Sequence, residues 1–224
     1  MGDLILVRHG ATVDNKETPG AEKFRGWRDV PLHPQGIAEA QRLAKILAKE
    51  PITAILSSDL QRARVTAQTI GSAQATPIQD VPIRELRPWN LGDLGGQTVD
   101  DKKLAYMKSM ERDAPDQKIP GGESFHDFVG RYIPTLEQLV AASQNSPGHI
   151  VAVTHTRNIR AAKGWIDAGA QGTNVSLGPL LSDKEVAPGG IIRIKVQNGK
   201  PVMEENDPGA GLSSLNKQMI RSQG

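Results

Sequence analysis

The chain has no cysteine among its 224 residues. That excludes a disulfide framework, a thiolate zinc site and a cysteine nucleophile. Aromatic residues are scarce, three Phe, two Tyr and three Trp, and they do not alternate with basic residues as a base-stacking platform would require. No apolar run approaches the roughly 18–20 residues that cross a bilayer. No charged leader precedes an apolar stretch and cleavage site, so no secretory signal is expected. Charge of one sign is also lacking: 27 Lys+Arg against 25 Asp+Glu leave a net +2. Such a balance suits anionic small molecules and is too weak for nucleic acid. The expectation is a cytoplasmic protein with neither membrane nor nucleic acid as partner, its oligomeric state unknown.

What is present is an ordinary globular composition, 38% hydrophobic and 23% charged, in a chain long enough to bury a sizeable core. The apolar run at 3–7 reads as a buried strand. A Gly- and Pro-punctuated loop comes next, over 10–34. Ile37, Ala40, Leu43, Ala44 and Leu47 then recur at helical spacing within 35–49, with Pro34 near the first turn. ITAILSS at 52–58 is a strand whose serines can cap the helix after Asp59. Residues 78–86 suggest a further strand, at an edge because of Pro77 and Pro82. The stretch 87–121 is irregular apart from helical character around 101–112. A long helix is expected over 122–143, disturbed near Pro134, then a strand at 149–155, a helix at 157–168 and a last strand at 191–196. Strands alternating with helices in this way predict a three-layer α/β/α sandwich around a mostly parallel sheet. One domain over 1–205 and a flexible tail over 206–224 complete the expected organisation.

In such folds ligands bind beyond the carboxyl ends of the strands. Arg8 and His9 come directly after the first strand, Arg62 opens the helix after ITAILSS, and Thr154 and His155 end HIVAVTH. A lone histidine after a strand is most often structural. Two histidines and two arginines at equivalent ends suit phosphoryl transfer. Arginines clamp phosphate oxygens with paired, charge-assisted hydrogen bonds. An imidazole nitrogen can take the phosphoryl group covalently, and a second imidazole can stabilise the charge that develops. No metal or other cofactor is required.

The blocks LVRHGATVDN, FRGWRDVPLHPQG, SSDLQRARVTA, PGGES and VTHTRNIR occur in that order over roughly residues 4–160. Together they resemble the signature of the histidine phosphatase superfamily, the phosphoglycerate-mutase-like proteins. The resemblance implies a phosphate pocket of Arg8, His9, Arg62 and His155, with His9 as nucleophile and His155 as the second histidine. It also implies substrate contacts from Asn15, Arg25 and Gly26, and from Thr156 through its backbone N–H.

Two departures stand out. The family supplies a general acid, a glutamate shortly before a glycine after the third strand, but here the text is IRELRPWNLGDLGG. Glu85 is the first candidate and Asp93 the second, while alignment on Gly92 puts Pro88 where the acid belongs. If neither carboxylate reaches, good leaving groups or phosphoanhydrides are favoured. In addition, PGGESFHDF leads directly into the long helix without the basic insert of phosphoglycerate mutases, which resembles the phosphatase branch. Lys102, Lys103, Lys108 and Arg112 upstream read as a solvated face.

The expected function is therefore hydrolysis of a small phosphorylated metabolite through a phosphohistidine at His9. A phosphoglycerate-type mutase and a catalytically silent phospho-ligand-binding relative are the alternatives. Glu123-x-x-His126 has metal-ligand spacing but no second copy, so capping is the plainer reading. Gly92-x-x-Gly95-Gly96 lacks the lysine of a nucleotide-binding loop. His33 and His149 read as structural, and the Trp27 and Trp89 loops as framing the pocket or simply packing.

Overall fold

The computed structural model describes residues 1–15, 22–182 and 186–206. The elements run β1 (Leu4–Arg8), α1 (Pro34–Leu47), β2 (Ile52–Ser58), α2 (Gln61–Ser72), β3 (Asp80–Ile83), α3 (Asp101–Arg112), α4 (Phe125–Gln144), β4 (His149–Thr154), α5 (Thr156–Asp167), α6 (Leu177–Leu181), β5 (Ile191–Gln197) and β6 (Lys200–Asn206). They form one sheet in the order β3-β2-β4-β1-β5-β6. The first four strands pair parallel and β5 and β6 antiparallel.

Every residue of β1 is buried because both faces of the sheet are covered. Leu4 and Leu6 pack with Phe128, Tyr132 and Leu136 of α4 and Ile159 of α5. Ile5 and Val7, pointing the other way, pack with Leu43 and Leu47 of α1 and Ala67 and Ile70 of α2. The period-two alternation of a strand thus feeds two cores and makes the predicted three layers.

The edge position foreseen for the third strand holds, but its length does not. Pairing with β2 stops at Ile83, and a 3-10 turn takes over at Arg84–Leu86. The long helix starts at Phe125 because Ser124 and Asp127 form a capping box. Ser58 Oγ accepts the Leu60 N–H at 3.4 Å just ahead of α2, while the Gln61 N–H is taken by the Asp29 carboxylate, at 2.7 Å. Helix α6 and strand β6 were not expected at all. Strand β6 exists because Asn198 and Gly199, with φ of 52 and 75, form the tight turn that an Asn-Gly pair favours between antiparallel strands. Of the expected tail, Asn206 ends β6, and the remainder lies outside the described residues.

The loop leaving β1 is seated directly on the start of α1. A Cβ on Gly36 would come 2.0 Å from the Ala11 carbonyl oxygen, and one on Gly10 would come 2.3 Å from that of Gly36. Only glycines allow this approach. His33 caps α1, and its backbone N–H donates to the Ala11 carbonyl. Gly36→Ala is expected to destabilise the fold by about 1–3 kcal/mol in urea unfolding, since backbone must move to admit the methyl group. Gly130→Ala is the contrast: on α4, with nothing within 4 Å of the added Cβ, it should stabilise by about 0.5–1 kcal/mol.

Candidate active site

The parallel pairing of β1 with β4 aligns Arg8 with Thr154, and the His9 N–H donates to the Thr154 carbonyl at 3.0 Å. The next residues on the two strands are therefore neighbours. The rings of His9 and His155 meet edge to face, 5.0 Å between centroids. Arg62 arrives from the first turn of α2 and spends its terminal nitrogens on loop carbonyls, those of Arg28 at 2.7 Å and Gly26 at 2.8 Å. Arg8 is gripped by the Val186 carbonyl. All four side chains are at least 97% buried.

They floor a cavity of about 190 Å³. Arg25, Gly26 and Thr156 are also on its lining, as are Lys23, Trp89, Arg157 and Arg160. Gly26 holds a φ of +47 and has Leu91 close behind it.

His9 Nδ1–H donates to the Gly10 carbonyl at 2.7 Å, which fixes the tautomer and leaves the lone pair on Nε2. Burial, and then Arg62, Arg8 and Arg25, hold the His9 imidazole well below its ordinary pKa. Burial and Arg62 do the same to His155. Both rings are neutral at pH 7. Burial and the charge of Arg25 push Arg62 down to about 9, so it remains cationic. Both ring nitrogens of His155, Nε of Arg62 and one terminal nitrogen of Arg25 are buried without a hydrogen-bond partner among the described residues. Buried donors are seldom left so, and here they surround a cavity. The arrangement fits a tetrahedral oxyanion.

The remaining predicted site residues lie elsewhere. Glu85 is exposed on the 3-10 turn and does not line the cavity. Leu86 turns inward in its place, its carbonyl accepting from Thr154 Oγ1 and Asn158 Nδ2. Asp93 is also exposed and off the lining, whereas Pro88 is on it. Asn15 is not on the lining either; its carboxamide braces the loop through Thr12 and Glu22. Glu22, which we did not foresee, is the one carboxylate among the described lining residues, 3.2 Å from Arg25.

Arg131 of α4 anchors the wall containing Pro88. It donates to the carbonyls of Glu85, Arg87 and Pro88 at 2.7–3.0 Å and pairs with Glu123. Trp27 packs beneath with its indole N–H on the Pro88 carbonyl and three guanidiniums around the ring. Trp27 is thus a brace and Trp89 a pocket wall. Glu123 serves the same anchor, and His126 pairs with Asp116. Among the described residues, no three His, Asp or Glu side chains gather as metal ligands.

A family model for the histidine phosphatase superfamily (branch 1) matches residues 4–204. The chain belongs to this superfamily. It is 35% identical over 164 residues to phosphoglycerate mutase-like protein 4 of Arabidopsis thaliana, covering 71% of this chain and 68% of that one. It is 31% identical over 169 residues to a metal-independent phosphoserine phosphatase of the same plant, covering 71% and 66%. Among solved structures, phosphoserine phosphatase from Entamoeba histolytica in complex with 3-phosphoglyceric acid superposes with a TM-score of 0.70 at 25% identity, covering 92% and 97%. A mycobacterial glucosyl-3-phosphoglycerate phosphatase complexed with VO3 gives 0.68 at 25%, covering 92% and 98%. No helix among the described residues is long and apolar enough to cross a membrane.

The neutral histidines make stability depend on pH. Below their ordinary value of 6.5 the unfolded chain protonates both while the folded chain resists. The unfolded state then binds more protons, and stability falls as pH falls. The urea midpoint should drop between about pH 7.5 and 5.5 by an amount that shrinks in His155→Asn; an equal drop in that variant would assign the effect to other groups.

Proposed function

We propose that this superfamily member is a metal-independent cytoplasmic phosphohydrolase that dephosphorylates a small phosphorylated metabolite through a phosphohistidine at His9. The observation that carries the reading is a neutral His9, its Nδ1–H tied to Gly10, set beside His155 and Arg62 whose buried donors have no partner among the described residues. The Nε2 lone pair attacks phosphorus, and the bond to the leaving oxygen breaks with its electron pair going to that oxygen. Arg8, Arg25 and Arg62 hold the non-bridging oxygens, and His155 donates a hydrogen bond to the transferring group. Water then attacks the phosphohistidine. The P–N bond breaks, phosphate and a proton leave, and His9 returns neutral. Three guanidiniums supply the positive charge that other phosphotransferases draw from metal ions.

The leaving oxygen sets the substrate preference in this reading. A placed acid is worth about a hundred- to ten-thousand-fold, and Pro88 stands on the wall where the family's acid aligns. Substrates with stable leaving anions, aryl phosphates and phosphoanhydrides, are therefore preferred over alkyl esters.

Phosphate release from a panel of esters and anhydrides tests this. Release should fall roughly a thousandfold or more in His9→Ala, and Pro88→Glu should raise alkyl-ester turnover about tenfold or more. Interconversion of phosphoglycerates without net release would favour the mutase reading suggested by a 27% identical, 2,3-bisphosphoglycerate-dependent phosphoglycerate mutase from Azorhizobium caulinodans. Phosphate binding with no turnover of any kind would sink both.

A further inference from the structure

The second chemical step leaves one proton unassigned. The water that attacks the phosphohistidine must lose a proton, and a substrate with a stable leaving anion does not remove that need. Arginine and lysine side chains on the lining are donors with no accepting lone pair. His9 is bonded to phosphorus at that stage. His155 is a poor acceptor, because burial and the Arg62 charge hold its imidazole well below its ordinary pKa. Among the described lining residues this leaves one carboxylate, Glu22.

The main chain at Glu22 is fixed on both sides. Its carbonyl accepts from the Val99 N–H at 2.8 Å, and the Lys23 N–H donates to the Asp14 carbonyl at 3.1 Å. One carboxylate oxygen orients the side chain: Oε1 accepts from Arg25 Nη2 at 3.2 Å and from Asn15 Nδ2 at 3.4 Å. Oε2 accepts no hydrogen bond from the described residues. Arg25 links this carboxylate to the reacting centre. Its charge reaches both imidazoles, and its other terminal nitrogen is buried with no partner among the described residues. A phosphoryl group held by Arg25 therefore lies one guanidinium away from Glu22. The Glu22 side chain is 45% exposed, which gives a proton taken from water a direct route to solvent.

We infer that Glu22 is the general base that hydrolyses the phosphohistidine, acting through Oε2. The inference rests on the phosphohistidine reading and extends it to the fate of the proton. The water oxygen bonds to phosphorus, and the P–Nε2 bond breaks with its electron pair returning to His9. The water proton passes to Glu22, which releases it to solvent as phosphate departs. This division of labour suits a wall with Pro88 in the acid's place. The first step runs on a stable leaving anion, and the second has a base of its own.

Glu22→Gln keeps an oxygen for Arg25 and Asn15 but removes the basicity, so it separates a base from a brace. With p-nitrophenyl phosphate and rapid mixing, this variant should release about one equivalent of nitrophenol per chain in a burst near the native rate. Steady turnover should then be about a hundredfold or more slower than native. Phosphohistidine should accumulate, read as the mass added by one phosphoryl group, and be absent from Glu22→Gln/His9→Ala. Formate should restore part of the slow step in Glu22→Ala, where it supplies the missing carboxylate; thermal unfolding checks the fold of each variant. A side chain that only braces Arg25 predicts otherwise: both steps slow together, KM rises and formate does nothing. That pattern overturns the inference and leaves the hydrolase reading standing. So does native kcat in Glu22→Gln, which would send the proton to the departing phosphate. A native chain that never phosphorylates His9 sinks both.

Discussion

The pairing of β1 with β4 is the constraint on which the site depends. A parallel ladder that sets Arg8 beside Thr154 leaves the chain little choice at the next position: His9 and His155 leave the sheet at the same height and adjacent. A slip of one residue would send every side chain of β1 to the opposite face. Leu4 and Leu6 would then exchange cores with Ile5 and Val7 at a cost in packing on both sides. The hydrophobic alternation that builds two cores therefore also holds the register of His9 and His155, and local movement of the two histidines is opposed by the whole sandwich.

Around that register the charges serve a single balance. Cations crowd two imidazoles, which burial and Coulomb repulsion keep neutral. Under the proposed mechanism a protonated His9 could not attack phosphorus, so the arginines proposed to bind the phosphoryl group would also keep its acceptor nucleophilic. The arginines in turn are held by carbonyl oxygens: Arg62 by Arg28 and Gly26, Arg8 by Val186. Main-chain oxygens orient a guanidinium without cancelling its charge, and the pocket stays positive for its ligand.

The fold and the inner site were legible because they obey short-range rules. Runs such as LILVRHG and HIVAVTH mark buried strands, and the residues just beyond them fall at the ligand-binding edge. Strand β6 was missed although its signal was present. Asn198-Gly199 between IIRIKVQ and KPVMEEN is a hairpin turn in plain sequence, overshadowed by the polar composition of the residues after it. Glu85 misled for a different reason. Distance along the chain placed it near the strand end, but the 3-10 turn decides which way it faces, and that turn depends on Thr154, Asn158 and Arg131, all distant in sequence. Arg157 and Arg160 escaped notice because the strand-end rule stops at His155; their i, i+3 spacing in the next helix was equally visible. Glu111 of α3 could not have been found, since only the tertiary fold pairs it with Arg157 of α5.

The hold of Arg131 on the cavity wall has an evolutionary corollary. Its guanidinium and the Trp27 indole grip carbonyl oxygens of the 85–88 segment, which every residue possesses whatever its side chain. The backbone path of this wall is therefore largely independent of the side chains at those positions. Natural variation can place an acid, a proline or a bulky apolar group against the cavity without renegotiating the fold beneath. Chemical preference becomes a local trait, free to drift or be selected, while the scaffold that presents it stays the same.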